Sequence, residues 1–103
     1  MQMLLILQVL AAAAVPAFAQ ITTFANIGCT GTTSVAPCDG SCHSFVGKNA
    51  FRVTAGSEHC VTAYADAACT SALFPNPNQD GNCEAIESGN PVLAVSCSPT
   101  NTC

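Results

Sequence analysis

Cys42-His43-Ser44-Phe45, then Gly47, then Ala50-Phe51-Arg52-Val53-Thr54, is answered later in the chain by Cys83-Glu84-Ala85-Ile86, then Gly89, then Val92-Leu93-Ala94-Val95-Ser96. Both stretches read Cys-x-x-apolar, a short gap, Gly, and an apolar run that closes on Val-Thr or Val-Ser. Phe51 and Val53 alternate with Arg52 and Thr54, and further on Val61, Ala63 and Ala65 alternate with Thr62, Tyr64 and Asp66. Successive side chains of a strand point to opposite faces, so a period of two predicts half-buried β-strands. Asp39-Gly40 and Asp80-Gly81 are turn signals placed shortly before Cys42 and Cys83. The recurrence predicts an all-β chain, a small disulfide-stapled β-sandwich of two degenerate Greek-key-like repeats at about 24–54 and 55–97. The alternative is an α+β fold with a helix over about 58–73, which is alanine-rich and free of Gly and Pro.

The eight cysteines are Cys29, Cys38, Cys42, Cys60, Cys69, Cys83, Cys97 and Cys103. They are separated by 8, 3, 17, 8, 13, 13 and 5 residues. The gap of 8 recurs 31 residues on, which sets Cys29, Cys38 and Cys42 beside Cys60, Cys69 and Cys83. In that register the second copy carries ten extra residues between its second and third cysteines. No two cysteines are adjacent and none are separated by a single residue, which excludes hydrophobins and the eight-cysteine haem-binding modules of fungi. Cys97 and Cys103 have no counterpart in the first copy and are expected to join a tail to the body. All eight are expected in disulfides, whose pairing the spacing does not choose.

The first residues are of a different kind. Met3-Leu4-Leu5-Ile6-Leu7 opens an apolar run that continues to Ala14, Pro16 follows, and Ala17-Phe18-Ala19 sets small residues at the −3 and −1 positions of a cleavage site. Residues 1–19 therefore read as a secretory signal peptide, too short for a membrane span of roughly 20 apolar residues. The remaining residues, 20–103, read as a single cysteine-rich β-domain exported to an oxidising extracellular compartment. It holds few large apolar side chains for its length, so cross-links are expected to decide whether it folds.

Charge narrows the function. The chain has 2 basic and 6 acidic residues and a net charge of −4. Two cations cannot make a nucleic-acid footprint or a polybasic patch for anionic lipid. No nucleic-acid partner and no membrane insertion of residues 20–103 are expected.

Tyr64-Ala65-Asp66-Ala67-Ala68-Cys69-Thr70-Ser71 resembles the first-hairpin signature of the βγ-crystallin Greek key. That signature has an aromatic residue, an acidic residue two further on, and Gly seven positions after the aromatic, where Ser71 stands here. In the first copy Gly40 takes the Gly position and Thr33 the aromatic one. Asn49-Ala50-Phe51-Arg52-Val53 resembles the family's Ser-apolar-x-apolar strand, with Ala50 in place of Ser. The resemblance spans roughly residues 24–97 and implies a Greek-key fold. Microbial members often bind calcium through paired Asn or Asp followed by Ser or Thr. No such pair stands at the matching positions, so no metal is expected. In leader, size, acidity and cysteine density the chain is similar to the small secreted cysteine-rich proteins of filamentous fungi.

Catalytic chemistry has few candidates. His43 follows Cys42, His59 precedes Cys60, and Asp39 and Glu58 are near in sequence. Ser41, Ser44 and Ser57 lie near the histidines, but no Gly-x-Ser-x-Gly elbow, His-x₃-His pair or phosphate-binding glycine loop frames them. No catalytic residue and no cofactor are expected. The unusual segment is Phe74-Pro75-Asn76-Pro77-Asn78-Gln79-Asp80, continuing through Gly81 and Asn82 between Cys69 and Cys83. Prolines and polar residues predict a presented surface loop with Phe74 as its anchor for a partner. The expected function is non-enzymatic binding of an extracellular protein or carbohydrate, effector-like or defence-related. The alternatives are a protease inhibitor presenting residues 74–82 and a structural protein of wall or matrix.

Overall fold

The computed structural model describes residues 19–87, 89 and 91–103. The expected leader lies outside them except for its last residue, Ala19. Eight strands run in chain order: β1 (Gln20–Asn26), β2 (Thr30–Pro37), β3 (Cys42–Ser44), β4 (Ala50–Thr54), β5 (His59–Tyr64), β6 (Ala72–Gln79), β7 (Glu84–Ala85) and β8 (Ala94–Cys97). They form two four-stranded antiparallel sheets, β2-β1-β4-β7 and β3-β8-β5-β6. The protein is an all-β sandwich held by four disulfides. The helical alternative over 58–73 is overturned. Strand β5 occupies its first half, where Val61 and Ala63 are buried and Thr62 and Tyr64 are only partly so.

The two sheets are one plan used twice. Adding four to each strand number of the first sheet, with β7 returning to β3, gives the order of the second. Each set of four strands makes a hairpin, β1β2 or β5β6, and brings its fourth strand, β4 or β8, back beside the first. That is the Greek-key return, with one change: the third strand crosses to the opposite sheet. There β3 pairs with β8 and β7 pairs with β4.

Register ties the copies residue by residue. Ile21, Thr22, Thr23 and Phe24 face Val53, Arg52, Phe51 and Ala50, while Val61, Thr62, Ala63 and Tyr64 face Cys97, Ser96, Val95 and Ala94. The flanking hydrogen bonds repeat as well. Asn49 N–H donates to the Phe24 carbonyl at 2.8 Å, and Leu93 N–H to that of Tyr64 at 2.9 Å. Gly40 N–H donates to the Cys97 carbonyl at 2.8 Å, and Gly81 N–H to that of Val53 at 2.7 Å. Both glycines are left-handed, with φ of 85° and 82°, so Asp-Gly supplies the backbone that turns each chain into its third strand.

This register corrects the one expected from cysteine spacing. Phe24 matches Tyr64, so Phe24-Ala25-Asn26-Ile27-Gly28-Cys29-Thr30-Gly31 is the partner of Tyr64-Ala65-Asp66-Ala67-Ala68-Cys69-Thr70-Ser71. Cys29 corresponds to Cys69, not Cys60, and both sit in the hairpin turn with φ of 57°. The first-copy turn runs through Phe24, Asn26 and Gly31 rather than Thr33 and Gly40. Gly31 is required there: its φ is 87°, and a Cβ would lie 2.9 Å from the Asn26 side-chain nitrogen. Strands β2 and β6 each have eight residues, and the ten extra residues shrink to one once the copies are aligned this way: 12 residues separate Cys29 from Cys42 and 13 separate Cys69 from Cys83.

Two disulfides obey the same symmetry. Cys29 in the first hairpin turn bonds Cys83 at the head of β7, and Cys69 in the second bonds Cys42 at the head of β3. Each turn is thus tied to the third strand contributed by the other copy. Cys38–Cys97 crosses between the sheets, and Cys60–Cys103 pins the chain end to β5. The core between the sheets is Ile21, Cys38, Phe45, Phe51, Val53, Val61, Val95 and Cys97, all nearly sealed from solvent. Proteolytic mapping without reductant should recover these four pairs. Removal of Cys42–Cys69 by paired Ser substitutions should cost about 2–4 kcal/mol in urea unfolding, with a similar loss for Cys29–Cys83.

Candidate binding groove

The expected loop at 74–82 is corrected by the structure: as far as Gln79 it belongs to β6, the edge strand of the second sheet. Proline removes a ladder donor, which confines it to edges and bulges, and β6 provides both. Its pairing with β5 slips twice. Ala63 faces Phe74 and Tyr64 faces Ala72, leaving Leu73 as an extra residue, and a second slip lies between the His59–Gln79 and Val61–Asn76 pairs. Asn78 takes the left-handed conformation at this second slip, with φ of 65°. The chain end covers it. The Asn101 side-chain oxygen accepts from Asn78 N–H at 2.7 Å, and its amide donates to the Asn78 side chain at 2.8 Å.

The bulge at Leu73 opens a groove of about 370 Å³ lined by Thr62, Tyr64, Ala72, Leu73, Phe74, Pro75 and Cys103. Among the described residues no ionisable side chain other than Tyr64 lines it, and the Tyr64 hydroxyl is 3.0 Å from Ser96 Oγ. Leu73, Phe74 and Tyr64 are half-buried, so their rings and methyls form its walls without filling it. Of the expected loop residues, Phe74 and Pro75 line this groove. Asn76 instead donates to the Val61 carbonyl, Gln79 is buried, and the Asp80 carboxylate accepts from the backbone N–H groups of Ala55 and Gly56 at 3.3 and 3.1 Å. Pro77 and Asn78 are exposed. Thr62, Tyr64, Leu73 and Cys103 were not among the expected partner residues. The outward phase of β5 was the signal for Thr62 and Tyr64, but the proline-rich run concealed the strand opposite, which carries Leu73, and no local pattern pointed to Cys103.

The turn at one end of the groove is held by Asp66. Its carboxylate accepts from Thr70 N–H at 3.0 Å, Ser71 N–H at 2.9 Å and the Thr70 hydroxyl. These donors, the Thr70 hydroxyl first, hold the Asp66 carboxyl below the usual aspartate range.

The other candidate side chains stay apart. His43 lies on β3 and His59 on β5, with β8 between them. His43 Nε2 is 2.8 Å from Ser41 Oγ, and that hydroxyl also bonds Asp39. The carboxylate therefore sits on the hydroxyl, whereas a nucleophilic triad needs it on the imidazole. Ser41, through its hydroxyl and then its backbone N–H, also lowers the Asp39 pKa. His59 is buried, with Nδ1 2.7 Å from the Ser98 carbonyl and Nε2 3.3 Å from Ser57 Oγ. Glu58 is exposed. His59 also lies within 4.8 Å of the sulfurs of Cys38 and Cys97, but those sulfurs are bonded to each other and are not thiolate ligands.

Comparisons with protein-family models, with curated proteins and with solved structures found no match.

A depressed carboxyl contributes stability above its unfolded pKa and loses it as pH falls through the lower folded value. Melting followed between pH 7 and 2 should show wild type losing this contribution below about pH 4. Asp66→Asn should melt lower than wild type at pH 7, and the gap should narrow as the pH falls.

Proposed function

We propose that this chain is a secreted, disulfide-stabilised binding domain, effector-like or defence-related in role, that acts without catalysis on an extracellular protein. The observation that carries the reading is the groove beside Phe74, Leu73 and Tyr64, a recess walled mainly by apolar side chains and by none that is charged. Half-buried aromatic walls beside a bulge suit an apolar side chain of a partner, the kind of contact that concentrates binding energy in a few residues.

Several features support export. Four disulfides suit an oxidising, extracellular-type environment, and no helix among the described residues is long and apolar enough to cross a membrane. Residues 1–19 have the pattern of a cleavable leader. A non-catalytic role is supported by the separation of His43 from His59 and by the placement of Asp39 on Ser41. Kinship with βγ-crystallin Greek keys is supported by the turn pattern in both copies: Phe24, Asn26 and Gly31 in one, Tyr64, Asp66 and Ser71 in the other. The inhibitor reading loses its free loop as far as Gln79, since β6 runs antiparallel to β5 with Ala72, Phe74, Pro75, Asn76 and Gln79 in register.

Phe74→Ala should weaken partner capture at least tenfold, about 1.4 kcal/mol, while near-ultraviolet circular dichroism stays as in wild type. Capture unchanged by Phe74→Ala and by Tyr64→Ala would remove the groove from the function. Replacing His43 and His59 together with Gln in a chain that still folds should leave capture intact.

A further inference from the structure

Each sheet of an open sandwich has two edges, and edge strands carry unpaired N–H and C=O groups that attract other strands. Three of the four edges here are blunted. Strand β7 has two residues and β3 has three. Strand β6 carries Pro75 and Pro77, and Asn101 takes the N–H of Asn78.

Strand β2 is different. It is eight residues long, Thr-Gly-Thr-Thr-Ser-Val-Ala-Pro, with every residue but Ala36 exposed. It has no charged residue, and its proline is at the last position. It lies at the end of its sheet, and no other strand among the described residues covers its outer edge. Val35 stands 59% exposed on it. The one charged group that hydrogen-bonds to β2 among the described residues is Lys48, which donates to the Thr32 carbonyl at 3.2 Å from a flexible stem.

We infer that two copies of this chain associate by antiparallel pairing of their β2 edges, joining two four-stranded sheets into one of eight. Two-fold association requires only that the strand match itself. Centred on Thr33, the pairing sets Thr32 of one copy against Ser34 of the other, Gly31 against Val35, and Thr30 against Ala36. Hydroxyl meets hydroxyl and glycine makes room for valine, with no like charges opposed.

Charge favours a second copy at this edge in particular. The chain carries −4, but β1, β2 and β4 contain none of its six carboxylates, and Arg52 is their only charged residue. Two copies therefore meet on the side where their shared negative charge is least. An eight-residue contact is about 27 Å long and buries less than the roughly 1,200 Å² of a stable interface. The dimer is accordingly weak and concentration-dependent.

Sedimentation of the disulfide-intact protein from about 10 μM to 1 mM tests this, since weak contacts dissociate across such a range. The average mass should climb from one copy toward two, and should do so at lower concentration when salt screens the net charge. Val35→Lys and Thr33→Pro should stay monomeric throughout with unchanged near-ultraviolet dichroism, while Phe74→Ala should dimerise as wild type does. A wild-type protein that is monomeric at 1 mM, open-ended aggregation in place of a dimer, or a dimer undiminished in a folded Val35→Lys protein would overturn the proposal.

Discussion

The reciprocal exchange of third strands is the constraint on which this structure rests. Each sheet takes three strands from one half of the chain and its fourth from the other, so neither half completes its hydrogen-bonding alone. The exchanged pieces are only two and three residues long, too short to hold by ladder bonds. Cys29–Cys83 and Cys42–Cys69 fasten them at their heads, and the chain just beyond each bonds again, Phe45 N–H to Leu93 and Ile86 N–H to Asn49. Phe45, one of the largest buried side chains, follows the exchanged β3, so the exchange also delivers core. Cross-link, ladder and burial act on the same few residues. The protein can therefore be both this small and this sparingly apolar.

The two halves depart from symmetry chiefly in their hairpins. The first turn has Gly31 in the left-handed region, whereas the second is clasped by the Asp66 carboxylate and has Ser71, which is not left-handed, at that place. The first hairpin has its single slip near the turn. The second has two, and the chain end is laid over it by Asn101 and Cys60–Cys103. Those additions are what build the groove: one bulge supplies Leu73, and the disulfide supplies a wall at Cys103.

Strand alternation in β4 and β5, the Asp-Gly turns and the Cys42–Cys83 correspondence were legible because each is a local pattern with its own physical cause. The repeat at 24–31 and 64–71 was equally local, yet the twice-occurring gap of 8 drew Cys29 toward Cys60. Cys60 in fact holds the chain end, a partnership no spacing expresses, and Cys38 matches the buried Gln79 rather than a cysteine. Side-chain pairing across the sandwich is a long-range outcome of the strand exchange, so the groove could be read only once β6 was placed beside β5.

Residues 74–80 have the composition of a loop and, as far as Gln79, the structure of an edge strand. Proline argues against a central strand because it lacks the donor that an inner ladder needs, and the same lack is harmless on an edge. The prolines that suggested a loop are better understood as edge protection. They let β6 carry half-exposed aromatic and aliphatic side chains without offering a free backbone to another sheet. Strand β2 lacks that protection while occupying the equivalent place in the other half. The two halves of one plan thus differ in opposite senses: one hairpin has its backbone edge protected and a recess between its side chains, and the other has plain side chains and an edge that no strand among the described residues covers.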